Sequence, residues 1–241
     1  MIKKILLTIL CMGTASASQE AVTIGTLKTE PIEVSSRMSS VEKKVRESAV
    51  KILTPNGHGS GGLVKYKDLQ LVITAQHVAS DSLGTAYGLT TESEERIGVQ
   101  IYADPLHDIA VILVPKVFDN TKGMKWKPVD TIAPVSTEIT YSGYPSWHSL
   151  MTYRGRVAGY EVDPNAGTQI MLDTYGWFGC SGSLLYNADG KAIGVLWGID
   201  VQRGLPQENM MWISPIQNLD IKLALKAYCI GANHEPKACR R

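Results

Sequence analysis

The chain has 241 residues, with 24 Lys and Arg against 23 Asp and Glu and a net charge near +1. That length suits one or two domains. The charge balance excludes a bulk electrostatic pull on nucleic acid or an anionic membrane, and basic and aromatic residues do not interleave as they do in a groove for single strands. The N-terminus carries Lys3 and Lys4, then the short apolar run Ile5 to Met12, then Ala15-Ser16-Ala17. These are the three parts of a secretory signal peptide over residues 1–17, and the run is too short to anchor the chain in a bilayer. Leu10, before Cys11, is too bulky for a lipoprotein site. Export to the periplasm or medium places the mature chain in an oxidising compartment. There Cys229 and Cys239 are expected to pair, leaving Cys180 as the odd thiol.

Residues 18–47 read as an N-terminal extension or propeptide. Within it, Ser39 and Glu42 have the spacing of a capping box for a helix over Ser39 to Ser48. From Ala49 onward, short β-rich runs alternate with turn signals, the pattern of an all-β pair of barrels. The first half gives Ala49–Leu53, Gly62–Lys65, Leu69–Thr74, Gly98–Tyr102 and Ile109–Val114. The second gives Glu138–Tyr141, Tyr153–Tyr160, Gln169–Asp173, Ser183–Tyr186, Lys191–Trp197 and Met210–Ile213. Asp189-Gly190 marks a hairpin. Leu219, Leu223 and Ala227 are spaced for a terminal helix over residues 217–228. The domain is therefore placed at 48–228, with a tail over 229–241.

Three segments carry chemistry: Thr74-Ala75-Gln76-His77, Asp104-Pro105-Leu106-His107-Asp108-Ile109-Ala110, and Gly179-Cys180-Ser181-Gly182-Ser183. A serine hydroxyl is a poor nucleophile until a histidine takes its proton, and that histidine needs a carboxylate to hold its tautomer. The chain order His77, Asp108, Ser181 is that of chymotrypsin. The first segment resembles the Thr-Ala-Ala-His of trypsin-like proteases. The second resembles the HtrA-type aspartate motif, and the third is similar to the Gly-Asn-Ser-Gly-Ser of glutamyl endopeptidases. Gly59-Ser60-Gly61, Gly143-Tyr144-Pro145 and Gly194-Val195-Leu196-Trp197-Gly198 resemble supporting segments of the same family. Together they cover roughly Ser48 to Ala227.

The resemblance implies two six-stranded antiparallel β-barrels with a C-terminal helix, and an exported serine endopeptidase acting on proteins or peptides. His77 would be the base, Asp108 its orienting carboxylate and Ser181 the nucleophile. The N–H groups of Gly179 and Ser181 would form the oxyanion hole. Tyr175, Leu196, Trp197 and Gly198 would border the specificity pocket. Leu196 stands where glutamyl endopeptidases have histidine, so an uncharged, small-to-medium or apolar side chain is expected there instead. Cys180 replaces the aspartate that receives a new N-terminus in trypsin-type activation. It is also the rival nucleophile, but the Gly-x-Ser-Gly frame favours Ser181 and makes Cys180 a buried thiol. His58, His107, His148 and His234 read as surface or core residues. His107 is expected to point away from the site as the strand neighbour of Asp108, and Asp104 to open a turn. No metal and no cofactor are expected. The alternatives are a non-catalytic protease-like binding module and a viral-type processing protease.

Overall fold

The structure is a computed structural model that describes residues 37–231 and 237–239. The proposed signal peptide, residues 18–36 and His234 lie outside the described residues. Strands β1 (Ala49–Thr54), β2 (Gly57–Tyr66), β3 (Leu69–Thr74), β4 (Ala86–Thr90), β5 (Glu95–Asp104) and β6 (Ile109–Leu113) close a first antiparallel barrel, because β1 pairs with both β4 and β2. The short β7 (Met124–Lys125) adds in parallel to β2. Strands β8 (Glu138–Gly143), β9 (Met151–Asp163), β10 (Gly167–Asp173), β11 (Leu184–Asn187), β12 (Ala192–Gln202) and β13 (Leu205–Pro215) close a second.

Sequence explains where these barrels are tightest. Every residue of β6, Ile-Ala-Val-Ile-Leu, is buried, as are the last five of β3. The continuous apolar run of β6, and the Leu71–Ile73 run of β3, suit strands covered on both faces. Their antiparallel register sets Thr74 opposite Ala110. The residues just after Thr74 therefore meet those just before Ala110, and this alone brings His77 and Asp108 to one end of the barrel. Cys180 contributes to the second core beside Tyr141, Leu185 and Met211.

Helix α1 (Ser40–Glu47) has the expected capping box: Glu42 N–H donates to Ser39 Oγ and Ser39 N–H to Glu42 Oε2. It is packed onto the barrels. Val45 is buried in the first core, Glu42 pairs with Arg154 of β9, and Arg46 Nη1 donates to the carbonyl of Leu150 at 3.0 Å.

The single terminal helix expected over 217–228 is instead a 3₁₀ turn (Ile216–Asn218) followed by α2 (Ile221–Ala224) and α3 (Lys226–Gly231). Asp220, extended at φ −83°, accepts from Lys222 and Leu223 N–H and starts the helix afresh. A short side chain that caps its own backbone competes with helix continuation. Cys229 and Cys239 form a disulfide, and Cys180 is a buried free thiol. Asp68 receives the N–H groups of Lys237 and Ala238, which holds the stapled tail against the β2–β3 hairpin. Among the described residues no helix is long and apolar enough to cross a membrane.

Candidate active site

His77 lies in the turn directly after β3, and Asp108 in the turn directly before β6. Asp108 adopts φ +52°, a left-handed conformation that asparagine and aspartate tolerate better than most residues. Its carboxylate grips His77 twice. His77 Nδ1 lies 2.6 Å from Oδ2, and the His77 backbone N–H donates to Oδ1 at 2.7 Å. A carboxylate accepts, so Nδ1 donates, and in a neutral ring the lone pair then falls on Nε2. That is the tautomer a general base requires.

Ser181 sits in the turn between β10 and β11. His77, Ser181, Gly179, His58, Phe178 and Asp81 border one cleft of about 360 Å³. Ser181 Oγ and His77 share this cleft without a direct hydrogen bond; in unliganded sites such bonds are commonly long and tighten with substrate. The turn fits against the first barrel only because residue 182 is glycine. At φ +88°, a Cβ there would meet the Ser60 carbonyl and Thr74 Oγ1 at 2.1 Å. Gly179, at φ +95°, is likewise closed to a side chain by the Tyr144 carbonyl at 2.4 Å.

Within the turn, the N–H groups of Cys180, Gly182 and Ser183 donate to the carbonyls of Trp177, Leu196 and Cys180. Those of Gly179 and Ser181 have no acceptor among the described residues. The turn thus leaves two N–H groups without an acceptor, one on each side of Cys180 in the chain.

Cys180 points away from this cleft into the second core, with no measurable exposure. Burial pushes its thiol up to about 11, partly offset by hydrogen bonds from the Trp177–Cys180 turn and Tyr141. A neutral buried thiol is a poor nucleophile. Burial also holds the neighbouring Tyr141 hydroxyl protonated, and it donates to the Tyr175 carbonyl.

The expected pocket residues separate in the structure. A bulge between β12 and β13 falls at Trp197, since Leu196 pairs with Ile213 and Gly198 with Trp212. Bulges re-aim side chains, and the Trp197 indole donates to Gln169 Oε1 at 3.0 Å. Trp197 borders a small recess with Leu106, His107 and Asp108. A Cβ on Gly198 would meet open space. Tyr175 is exposed, its ring 5.5 Å from that of Tyr153. Leu196, by contrast, turns its side chain into the second core, so it offers the site only backbone.

His107 corrects the sequence reading. It is not on a strand but in the turn 105–108, so strand alternation does not apply. Its Nδ1 lies 2.7 Å from Asp104 Oδ2, and it borders the Trp197 recess rather than facing away. Asp104 does open that turn, its Oδ1 accepting from Leu106 and His107 N–H. His58, read as a plain surface or core residue, instead borders the cleft; its Nε2 donates to the Tyr144 carbonyl at 2.9 Å, with its ring 5.4 Å from Trp147.

Paired six-stranded barrels with a histidine–aspartate pair and a serine turn at their junction define the chymotrypsin-like class of peptidases. The chain belongs to the trypsin-like peptidase domain family, whose model matches residues 59–195. Its fold is similar to the protease Rv3671c from M. tuberculosis in an active form, at 18% identity and TM-score 0.61 over 83% of this chain and 87% of that one. An inactive form of Rv3671c from M. tuberculosis H37Rv matches over 81% and 92%, with the same identity and TM-score. The HtrA-type protease AlgW, solved with a tripeptide, matches at 17% identity and TM-score 0.64, over 79% of this chain and 62% of that one. No curated protein matches the chain.

Proposed function

We propose that this peptidase is an exported serine endopeptidase that works through an acyl-enzyme at Ser181. The observation that carries the reading is the doubly bonded His77–Asp108 pair on the same cleft as Ser181. His77 Nε2 takes the Ser181 proton as Oγ attacks the scissile carbonyl. Asp108 holds the ring and stabilises the imidazolium that forms. The oxyanion of the tetrahedral intermediate lies against the N–H groups of Gly179 and Ser181. His77 then protonates the leaving amine, and water, activated by the same ring, hydrolyses the ester.

The acyl side of the substrate lies along Trp197 and Gly198. Apolar surface from Trp197 and Tyr175 supports an uncharged side chain before the cleaved bond. Export is supported by the charged, apolar and Ala-Ser-Ala segments and by the Cys229–Cys239 disulfide. Cleavage profiling on a peptide library tests the activity: the chain cuts after uncharged residues, and Ser181→Ala does not cut. Equal cleavage by Ser181→Ala defeats the proposal. N-terminal sequencing of the exported protein is expected to begin at Ser18; an intact Met1 on cytosolic protein defeats export.

A further inference from the structure

Ser60 lies in β2 of the first barrel, has no measurable exposure, and takes no part in the chemistry proposed above. Its three polar groups nevertheless all reach the site. Its backbone N–H donates to the Ser181 carbonyl at 2.8 Å. Its hydroxyl donates to the Gly179 carbonyl at 2.6 Å and accepts the Tyr144 N–H at 2.9 Å. Its carbonyl accepts Thr74 Oγ1 at 2.7 Å, at the end of the strand that delivers His77. The hydroxyl roles are fixed, because a carbonyl only accepts and an amide N–H only donates.

These bonds complete a pattern along the nucleophile turn. Four successive carbonyls are taken: Phe178 by Ser146 N–H at 2.6 Å, Gly179 by Ser60 Oγ, Cys180 by Ser183 N–H, and Ser181 by Ser60 N–H. A trans peptide points its C=O and N–H to opposite sides. The Phe178 carbonyl held on Ser146 therefore sends the Gly179 N–H the other way, and the Cys180 carbonyl held on Ser183 does the same for Ser181 N–H. Ser146 itself is kept at φ +51°, an uncommon conformation for serine. The segment that carries it begins at Tyr144, whose N–H ends on the Ser60 hydroxyl. One hydroxyl thus joins the nucleophile turn, the Tyr144–Ser146 segment and the first barrel.

We propose that Ser60 is the positioning residue of the oxyanion hole: its hydroxyl clamps residues 178–181 to residues 144–146, so that the Gly179 and Ser181 N–H groups stay aimed at the developing oxyanion. This rests on the catalytic reading above. It assigns to a serine of the first barrel the ordering that an aspartate beside the nucleophile cannot supply here, since that position is Cys180.

The test compares the wild-type chain with Ser60→Ala and Ser48→Ala. Ser48 is also buried and also loses a hydroxyl bond, to the Val45 carbonyl, but does not touch the turn. Both variants lower Tm. Only Ser60→Ala lowers kcat, by about 10- to 100-fold with KM within about threefold, as expected when donors to a transition-state charge are misaligned. It loses a similar factor in affinity for a peptide aldehyde, which forms a tetrahedral adduct on serine. A Ser60→Ala kcat within about twofold of wild type, or an equal kcat loss in Ser48→Ala, overturns the proposal. If Ser60→Ala does not fold, Ser60→Cys, which keeps a side chain of similar shape but only a weak S–H donor, must lower kcat in the same way; an unchanged kcat overturns it. Ser181-dependent turnover in the wild-type chain is measured first. Its absence defeats the catalytic reading and this inference with it, whereas normal turnover with an indifferent Ser60→Ala defeats this inference alone.

Discussion

Two histidine–aspartate pairs lie close together in this molecule, and their local geometry is nearly the same. His77 Nδ1 meets Asp108 Oδ2 at 2.6 Å, and His107 Nδ1 meets Asp104 Oδ2 at 2.7 Å. In each, the second carboxylate oxygen takes the backbone N–H of its own histidine. The difference lies in what each pair joins. Asp104 and His107 are three residues apart and close one turn on itself. Asp108 and His77 are 31 apart and bridge the ends of β6 and β3. Of the two histidines, His77 borders the cleft that holds Ser181, while His107 borders the Trp197 recess. A short His–Asp bond is therefore no mark of a base by itself; the third partner is.

The largest expected effects break the long-range pair and its partner. Ser181→Ala and His77→Ala each lower kcat by about 10⁴- to 10⁶-fold and leave the folded spectrum intact, read by steady-state kinetics and circular dichroism. Asp108→Asn costs roughly 10⁴-fold, because the amide favours the wrong tautomer. The matching change in the other pair, Asp104→Asn, is expected to cost less than about fivefold. Asparagine still caps the turn, and a partly exposed pair contributes under about 1 kcal/mol. Equal losses in the two Asp→Asn variants would erase the distinction.

A smaller effect sharpens the choice of nucleophile. Because Cys180 is a buried thiol raised to about 11, iodoacetamide at pH 8 is expected to leave it unmodified and activity unchanged. Mass spectrometry of the folded chain checks this, and inactivation with an adduct on Cys180 contradicts it. The smallest effect concerns a carboxylate pair with no histidine. The Arg154 guanidinium beside Glu42 holds its carboxyl down, from the usual 4.5 to about 2. A depressed folded value gives stability that is full above pH 4.5 and fades as pH falls toward 2. Glu42→Gln should therefore lower Tm at pH 7 while leaving kcat unchanged, and the gap in Tm should close near pH 2. A gap that persists below pH 2 would assign the loss to packing instead.

Much of this was legible in local sequence. β3 begins and ends where its apolar run does, at Leu69 and Thr74. The Ser39–Glu42 capping box and the Cys229–Cys239 pairing are short-range, and the structure contains both. The site segments were legible because the chemistry demands particular residue types in turns. What escaped depends on partners distant in sequence. β4, Ala-Tyr-Gly-Leu-Thr, is weakly apolar and carries a glycine, and only its pairing with β1 and β5 makes it a strand. The bulge at Trp197 exists only in the register of β12 on β13. His107 was misread because a left-handed φ at Asp108 turns the chain where the sequence suggested a strand. Ser60 was visible only as part of a Gly-Ser-Gly segment. Its bonds to residues 144, 179 and 181 come from a contact between barrels that no local pattern encodes.

The most direct test of the central claim is labelling with a fluorophosphonate, which reacts with an activated serine. Wild-type protein and the His77→Ala, Asp108→Asn and His107→Ala variants are treated and mapped by mass spectrometry. The account predicts one adduct per chain, on Ser181, formed at wild-type rate in His107→Ala and nearly abolished in His77→Ala and Asp108→Asn. No adduct on the wild-type chain, an adduct on another residue, or equal labelling in His77→Ala would contradict it.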